Sequence, residues 1–471
     1  MRNVLLVICD EMARDALGCY GNTTALTPHL DALAASGVRF SRAITPSPIC
    51  IPARASLATG LAVHEHGCWS SAQPFAGEHP TWMGRLRARG VHVVSIGKLH
   101  YKQRGLDYGF SEERLPMYVA NDGIGWAEAL LRTPMPAYSG AAEMARDVGP
   151  GDTSYTDYDH AIADDAESWL LQRRAQQGAF ALSVSLVSPH YPLSAPHAYY
   201  ERFDGVDIPP ARSVPDTHPV VAQMRDFWDY DRYFDDALRQ RARRNYWALC
   251  ALVDDMVGRL VAALEASGLR ETTDIVFTSD HGDLLGDRGW WAKSLMYEGS
   301  VGVPLIVNGP SLKGVTGVSD TAVNLTDIGV TLEHMVSGDA PARPRDSWRP
   351  RSLIDLAEHP DPSRCVLSEY HDGGSPCGFA LFQRGPHKLT RYADGYPDQF
   401  FDTDTDPHEE RDRAADDLAT YRSLSQALDA TLDIDACNRA ALTSQRDVLD
   451  ALGGEPALAE LAAFNHTPVG S

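Results

Sequence analysis

Four short apolar runs along the chain each end in polar side chains. The runs are NVLLVIC (3–9), VHVVSIG (91–97), FALSVSLV (180–187) and DIVFTS (274–279). Runs of this length with few charges predict strands buried on both faces, as in a parallel sheet. Helical spacing of apolar residues marks stretches between them, notably 159–177 and 245–268. The alternation predicts an α/β fold with a large, mostly parallel central sheet flanked by helices.

The pattern changes near residue 364. Short alternating runs such as GFALFQRGPHKLTRY predict a small antiparallel sheet, and the Ala-, Leu- and Asp-rich residues that follow predict helices. We therefore expect an α/β domain at 1–363, an antiparallel-sheet subdomain at 364–412 and a helical tail at 413–471, the last two forming a smaller C-terminal α+β unit. Residues 101–158 and 191–235 show weak periodicity and are predicted to be long loops over the site.

Chemistry-bearing side chains follow all four predicted strands. Because open α/β sheets bind ligands at the carboxyl ends of their strands, we expect these side chains to form one polar site. The residues are Asp10, Glu11, Lys98, His100, His190, Asp280 and His281.

The acidic members of this set suggest a metal. Asp10, Glu11, Asp280 and His281 offer oxygen ligands and one imidazole, which suit Ca²⁺, Mg²⁺ or Mn²⁺. The alternative is that each aspartate caps a helix that follows its strand. Two such acids at two strand ends favour the metal.

The basic members suggest an anion. Planar guanidinium and compact ammonium groups suit sulfate or phosphate oxygens. For Lys293 the alternative is a lysine that extends along the surface, and for the histidines it is an ordinary polar loop residue. The candidate cations are Arg54, Lys98, His100, His190 and Lys293.

Cys50 lies in TPSPICIPARASLATG (45–60), where Pro52 marks the first turn of a predicted helix. A helix N-terminus would stabilise a thiolate nucleophile at this position. A buried structural thiol is equally compatible with the pattern. A Cys-phosphatase is excluded, because those enzymes wrap the phosphate in a longer loop between Cys and Arg.

Composition excludes some classes of partner and indicates a cellular location. The formal net charge of −22 argues against nucleic-acid or anionic-membrane partners. No window approaches the roughly 20 apolar residues of a spanning helix, and the first apolar run is too short for a signal peptide. The eight cysteines include no CxxC pair, which indicates reduced thiols. We expect a cytoplasmic protein.

Several motifs together resemble the sulfatase family of the alkaline-phosphatase superfamily. CIPARASLATG matches its C-x-P-x-R signature, and IGKLHY matches its G-K-x-H segment. RNVLLVICDEMARDALGCYGN resembles its opening strand and acidic pair, and the stretch from YWALC to GWWAK resembles its helix–strand–D-H-G block. VGVPLIVNGP, AVNLTDIGVTL and QFFDTDTDPHEERD are also typical of the family. The resemblance covers most of residues 1–412.

The resemblance implies a mechanism. In that family the signature cysteine is oxidised by a formylglycine-generating enzyme to Cα-formylglycine, whose hydrate is the nucleophile. It implies that Cys50 is this residue, and that a divalent cation, Ca²⁺ first with Mn²⁺ or Mg²⁺ as alternatives, is bound by Asp10, Glu11, Cys50, Asp280 and His281. Further implied catalytic residues are Arg54 and Lys98, which stabilise the nucleophile, His100, which helps to expel sulfate, and His190 and Lys293, which contact the sulfate.

Two departures are visible. Glu11 stands where many members have a second Asp, and Ala53 stands where many have Ser. The overall appearance is closest to choline-sulfatase-like and other small alkyl or aryl sulfatases, and the family makes a homo-oligomer plausible. The alternative activity is that of a phosphonate monoester or phosphodiester hydrolase, which Lys98 and His100 disfavour, and a degenerate binding protein is a third possibility.

The substrate is the least constrained prediction. Aromatic side chains in the predicted loops and around the D-H-G block could form a cage for a quaternary ammonium such as choline. The alternative is that they only anchor those loops. The residues are Trp126, Trp228, Tyr230, Trp290 and Trp291.

Overall fold

The structure is a computed structural model of the 471-residue chain. It describes residues 1–132, 135, 138, 140–173, 175–214, 218–458, 461 and 467–470.

Fourteen strands occur in the described chain. They are β1 (Asn3–Asp10), β2 (Val38–Phe40), β3 (Ala43–Ile44), β4 (His92–Lys98), β5 (Glu112–Met117), β6 (Phe180–Pro189), β7 (Thr273–Ser279), β8 (Leu305–Asn308), β9 (Gly317–Ser319), β10 (Val323–Asn324), β11 (Cys365–Tyr370), β12 (Phe379–Arg384), β13 (His387–Tyr392) and β14 (Gln399–Asp402).

Sixteen α-helices occur in the same described residues. They are α1 (Pro28–Ala35), α2 (Cys50–Thr59), α3 (Val63–His66), α4 (Trp82–Ala88), α5 (Ala120–Gly123), α6 (Gly140–Arg146), α7 (Ser154–Gln172), α8 (His197–Tyr200), α9 (Pro219–Trp228), α10 (Asp236–Ala266), α11 (Glu298–Val301), α12 (Asp327–Ser337), α13 (Leu353–Glu358), α14 (Leu418–Asp429), α15 (Ile434–Leu452) and α16 (Glu455–Leu458).

The central sheet has eight strands in the order β5-β4-β6-β1-β7-β8-β2-β9. Strands β5, β4, β6, β1 and β7 pair in parallel. Strand β8 runs antiparallel to its neighbours β7 and β2. The predicted mostly parallel sheet is confirmed, and all four strands predicted to carry the site lie side by side as β4-β6-β1-β7.

The C-terminal sheet is a separate antiparallel meander, β11-β12-β13-β14. The predicted antiparallel sheet and the helices after it are thus confirmed. One apolar core nevertheless includes Leu5 of β1 and Phe379 of β12, so the two sheets share buried surface. The division at 363/364 and 412/413 stays a prediction.

The two predicted long helices exist with different starts. Helix α7 begins at Ser154, because the Thr153 side chain accepts a hydrogen bond from the Thr156 amide as an N-cap. Helix α10 begins at Asp236, because Asp235 caps the Leu238 amide. The apolar pattern places both starts too late, since the first turns are polar and carry little apolar periodicity.

The prediction of loops at 101–158 and 191–235 was wrong in part. The first range contains β5, α5, α6 and the start of α7, and the second contains α8 and α9. These elements are short, and tertiary packing rather than local propensity determines them. The segments nevertheless contribute to the site, as described below.

A buried ion pair links the central and C-terminal parts of the chain. Arg364 and Asp327 are both fully buried, and Nη2 of Arg364 lies 2.6 Å from Oδ1 of Asp327. The guanidinium also donates to the backbone carbonyl of Ala322, immediately before β10. Removing one member of such a pair leaves an uncompensated buried charge.

Replacing Arg364 with Met should therefore lower the free energy of unfolding by about 3–5 kcal/mol. The matched control is Arg411→Met, because Arg411 pairs with Asp416 at the surface with 74% of its side chain exposed. The control should change stability by less than about 1 kcal/mol. Urea unfolding followed by fluorescence measures both, and equal midpoints for the two variants would contradict the prediction.

Candidate active site

The site lies at the carboxyl edge of the four adjacent parallel strands. Strand β1 ends at Asp10, β4 at Lys98 and β6 at Pro189, and Asp280 directly follows β7. Asp10 pairs in register with Pro189, and Cys9 pairs with Ser279, which brings these ends level with one another. The edge predicted from the polar residues after each apolar run is thus a single place in the fold.

Cys50 is the first residue of helix α2, all ten residues of which are buried. Its Sγ lies 3.1 Å from Nε2 of His281, 3.5 Å from Oδ1 of Asp10 and 3.6 Å from Nζ of Lys293. Burial, with a further contribution from Asp10, raises the pKa of the thiol to about 12. Cys50 as a cysteine is therefore a protonated thiol, despite its position at a helix N-terminus.

A potential metal-binding group surrounds Cys50. One ligand atom each from Asp10, Cys50, Asp280 and His281 lies within 4.8 Å of the others. Nδ1 of His281 is 3.1 Å from the carbonyl oxygen of Gly282 and must donate its proton there, since a carbonyl only accepts. Its Nε2 is left with the lone pair that a metal ligand needs.

Glu11 is fully buried beside this group, and its Oε1 has no hydrogen-bond partner within the described part of the chain. Its other oxygen, Oε2, is 3.1 Å from Nζ of Lys293. Burial, only partly opposed by Lys293, raises the pKa of Glu11 to about 8. Its backbone has a φ of 70°, in the left-handed region where a side chain is strained.

Two cations neutralise the aspartates. Nε of Arg54 donates to Asp280 at 2.7 Å, and Nζ of Lys98 forms a short ion pair with Asp10. Burial opposes ionisation of Asp10, but Lys98 and the neighbouring cations outweigh it and hold its pKa well below the usual range. Burial also disfavours the Arg54 charge, but Asp280 raises the guanidinium pKa above its ordinary value. Asp10 is thus held ionised, and Asp280 lies in a direct ion pair with a guanidinium.

Lys293 and His190 form the opposite wall. Nδ1 of His190 lies 2.7 Å from the carbonyl oxygen of Tyr191, so it donates its proton there. Its Nε2 then accepts from Nζ of Lys293 at 2.8 Å. Burial, with Lys293 next, lowers the pKa of His190 well below its usual value, in agreement with a neutral imidazole.

His100 is the third buried histidine of the site. Its Nε2 lies 2.9 Å from Oγ1 of Thr467, and its Nδ1 has no hydrogen-bond partner among the described residues. Burial and the nearby Lys98 lower its pKa well below the usual value. Like Glu11, it has a left-handed backbone, with a φ of 54°.

Two of the structural alternatives, the helix caps and the surface lysine, do not hold here. The short helix after β1 has Ala13 at its N-cap, and the one after β7 has Gly286, so neither Asp10 nor Asp280 is a cap. Lys293 keeps only 13% of its side chain exposed. The structure therefore brings all the predicted site residues together, while their individual roles stay predictions.

A cavity of about 120 Å³ opens from Cys50. Trp126, Tyr138 and Trp228 form an aromatic wall, with ring centroids 4.5–6.2 Å apart. Asp372 and Thr467 contribute polar groups to the lining. The cavity therefore has a cationic and acidic floor and an aromatic side.

Only two of the five predicted cage residues line this cavity, namely Trp126 and Trp228. Tyr230 stacks on Trp228 from behind, and Trp290 and Trp291 are core residues with at most 1% exposure. The five-residue aromatic cage was therefore wrong. Local sequence gives no means of distinguishing a core tryptophan from one that lines a cavity.

Several lining residues were missed. Tyr155 lies in a segment predicted to be a loop over the site. The prediction placed the segment near the site correctly but did not identify the residue. Asp372 follows β11, and Thr467 lies beyond α16, so both reach the site through long-range packing. Ser185, whose hydroxyl accepts from Arg54 at 2.9 Å, has the sequence context of an ordinary strand residue.

A family model described as Sulfatase matches residues 2–336. The chain belongs to the sulfatase family. This sulfatase is 27% identical to a choline-sulfatase of Rhizobium meliloti (strain 1021), over 94% of this chain and 89% of that protein. It is 28% identical to an arylsulfatase of Clostridium perfringens (strain 13 / Type A), over 86% and 89% of the two chains. It is a sulfuric ester hydrolase.

Solved structures share the fold of this sulfatase. A phosphonate monoester hydrolase of Agrobacterium radiobacter superposes with a TM-score of 0.72 at 23% identity, over 91% of this chain and 95% of that one. A protein in complex with its substrate D-glucosamine-2-N,6-O-disulfate has a TM-score of 0.72 at 20% identity, covering 93% and 99%. These matches establish the fold. Among the described helices, none has both the length and the apolar character to cross a membrane.

Replacing Glu11 with Gln should change how the stability of the metal-free sulfatase depends on pH. The folded state keeps a proton on Glu11 up to about pH 8, whereas the unfolded chain loses it near the ordinary value of 4.5. Wild-type stability therefore falls as pH rises towards 8, and the variant lacks this loss. The Tm of Glu11→Gln relative to wild type should rise between pH 6 and pH 9.

The control for this measurement is Glu410→Gln, since Glu410 is exposed. The difference between its Tm and that of wild type should stay constant across the same pH range. Parallel curves for Glu11→Gln as well would show that the Glu11 carboxyl does not hold the proton in the folded state.

Proposed function

We propose that the protein hydrolyses small sulfate esters through a hydrated Cα-formylglycine derived from Cys50, with a bound divalent cation, and releases inorganic sulfate and an alcohol. The position of Cys50 supports this most directly. Its Sγ, which stands where the hydrate oxygens would be, lies within 3.6 Å of both the His281 imidazole and the Lys293 ammonium. A nucleophile there has an acidic metal-binding group on one side and cations on the other.

The donor set fits a hard divalent cation. It combines carboxylate oxygens with one imidazole whose lone pair is free, and it contains a buried Glu11 oxygen without a partner in the described chain. We propose Asp10, Glu11, Asp280, His281 and residue 50 as the ligands, and Ca²⁺ as the ion ahead of Mn²⁺ or Mg²⁺. When bound, the ion supplies positive charge beside the nucleophile and the sulfate oxygens.

In the first step, one hydroxyl oxygen of the hydrate loses its proton to solvent and attacks sulfur, and the bond between sulfur and the ester oxygen breaks. The Lys293 ammonium gives a proton to the departing oxygen, which leaves as the alcohol, and the lysine regains a proton from solvent. Arg54 and Lys98 form ion pairs with the two aspartates next to the nucleophile. Lys293 faces the opposite side, where its ammonium meets the negative charge that develops on the sulfate and on the departing alcohol oxygen, and His190, which accepts a hydrogen bond from it, contacts the sulfate beside it. Fixed positive charge and hydrogen-bond donors at such positions contribute strongly to catalysis, because they stabilise the transition state more than the bound substrate.

In the second step, the remaining hydroxyl of residue 50 gives its proton to His100. Its oxygen then forms the aldehyde double bond while the bond from carbon to the sulfate oxygen breaks. Sulfate leaves with that electron pair, and water adds to the aldehyde to restore the hydrate. The second hydroxyl makes an attack of water on sulfur unnecessary.

The cavity supports a small substrate. About 120 Å³ of space and an aromatic wall suit a compact alkyl or aryl group better than a sugar chain. The names choline-sulfatase and arylsulfatase among the relatives agree with that class. Asp372, only 2% exposed at the cavity, adds an acidic group that a cationic alcohol such as choline would find favourable.

Three further predictions concern a maturation partner, the oligomeric state and the cellular location. The proposed nucleophile requires a formylglycine-generating enzyme as a partner during maturation. Homo-oligomerisation and a cytoplasmic location stay predictions, which size-exclusion chromatography and cell fractionation can test.

Conversion of Cys50 is testable directly. Peptide mass spectrometry should find the aldehyde in place of the thiol at residue 50 after co-expression with a formylglycine-generating enzyme. Cys50→Ala should lower kcat by a factor on the order of 10⁴ or more, since it removes the nucleophile. Cys50→Ser should leave at most slow chemistry without turnover. Cys19→Ala, at a half-buried cysteine outside the site, serves as the control and should keep activity. Undiminished hydrolysis by Cys50→Ala would remove the mechanism.

The choice between sulfate and phosphonate esters is a separate prediction. We expect kcat/KM for p-nitrophenyl sulfate to exceed that for p-nitrophenyl phenylphosphonate, because Lys98 and His100 belong to the sulfatase pattern. A panel of sulfate esters that includes choline sulfate then identifies which alcohol group the enzyme prefers. EDTA should abolish turnover, and Ca²⁺ should restore it. A phosphonate preference of several orders of magnitude would reverse the assignment in favour of the alternative activity.

A further inference from the structure

His100 differs from the other two buried histidines of the site. In both His190 and His281 a backbone carbonyl accepts a hydrogen bond from Nδ1–H, which fixes those two tautomers within the chain segment that carries the ring. His100 has no such carbonyl partner among the described residues. Among those residues its ring has one hydrogen bond, which joins Nε2 to the Thr467 hydroxyl, 367 positions away in sequence.

Thr467 is held firmly at this position. It is 8% exposed, and its backbone carbonyl accepts a hydrogen bond from the Tyr155 hydroxyl at 2.7 Å. Tyr155 belongs to helix α7 and lines the same cavity as Cys50 and His100. The hydroxyl of Thr467 is thus fixed both by its own burial and by an anchor from the central domain.

We propose that Thr467 is a positioning residue for His100. Its hydroxyl oxygen accepts a hydrogen bond from Nε2–H, so that Nδ1 keeps its lone pair and can act as the base of the sulfate-release step. This inference rests on the proposed function, because it concerns the second step of that reaction. It assigns a role to a segment beyond α16 that no sequence motif marks.

The tautomer follows from the hydrogen bonds that the ring can make. Nδ1 of His100 is buried without a partner in the described chain. A buried donor without an acceptor is less well tolerated than a buried acceptor without a donor. The proton therefore belongs on Nε2, where the hydroxyl oxygen accepts it, and Nδ1 stays available for the proton of the residue-50 hydroxyl.

The bonds in that step balance with this assignment. The O–H bond of the second hydroxyl breaks, and its proton forms a bond to Nδ1 of His100. The oxygen electron pair becomes the second bond of the aldehyde, and sulfate departs with the pair from the carbon–oxygen bond. The Thr467 oxygen keeps its hydrogen bond to Nε2–H while the ring carries the charge, and so stabilises the imidazolium.

The test compares Thr467→Val, which keeps the shape and removes the hydroxyl, with Thr467→Ser, which keeps the hydroxyl. Loss of an outer partner of a catalytic group costs about 10- to 100-fold in activity. We expect Thr467→Val to lower kcat and KM together with little change in kcat/KM, because only the second step slows. Mass spectrometry of enzyme quenched during turnover should show one added SO₃ group on the peptide with residue 50. Thr467→Ser should restore kcat.

Thr443→Val is the matched control, since Thr443 is exposed on α15 and its hydroxyl donates to the Arg439 carbonyl of its own helix. It should behave as wild type. An equal fall of kcat/KM and kcat in Thr467→Val, without an accumulated sulfated form, would mean general structural damage and would overturn the proposal. Unchanged kcat and KM would overturn it as well.

A second measurement does not depend on turnover. ¹⁵N NMR of histidine-labelled protein with an unconverted Cys50, assigned with a His100→Gln sample, should show the His100 proton on Nε2 in wild type and in Thr467→Ser. In Thr467→Val we expect the two tautomers to mix. A proton on Nδ1 in wild type would overturn the proposal. If sulfate esters prove not to be substrates, the proposed function fails while this measurement still decides the role of Thr467.

Discussion

The structure depends on charge compensation inside a buried site. Asp10, Glu11 and Asp280 are all fully buried at the end of the sheet, where an uncompensated carboxylate would be costly. Arg54 and Lys98 neutralise the two aspartates through direct ion pairs. Lys293 only partly offsets the burial of Glu11, so the pKa of that carboxyl is raised to about 8. Two of these cations, Lys98 and Lys293, also line the cavity where an anionic substrate would bind.

Much of this arrangement could be predicted from the sequence, because the strands that carry it have a local signature. An all-apolar run followed by Asp, Lys or His identifies both the strand and its functional end. When such strands are neighbours in a parallel sheet, their polar ends lie close together at one edge. The Cys50 stretch is predicted correctly at a helix start for the same local reason. The strand order that brings β4, β6, β1 and β7 together could be inferred from the sequence only through the polar residues at the ends of those strands.

The rest could not be predicted, because it depends on contacts between distant segments. Asp372 and Thr467 enter the cavity from the C-terminal part of the chain, and nothing near either residue marks it as part of a site. Trp290 and Trp291 have the composition of a binding wall but pack in the core. The starts of α7 and α10 escape the pattern because caps such as Thr153 and Asp235 lie in polar stretches without apolar period. Side-chain burial, unlike strand identity, is a property of the whole fold.

The burial of helix α2 sets an order of events in the life of the chain. Cys50, Pro52 and Arg54 are all buried once the helix has packed. The conversion of Cys50 proposed above would need these three residues to be exposed to the modifying enzyme. Under that proposal, conversion comes before helix α2 packs, and a chain that folds first keeps its thiol. The fraction of converted molecules would then depend on the relative rates of oxidation and folding during synthesis.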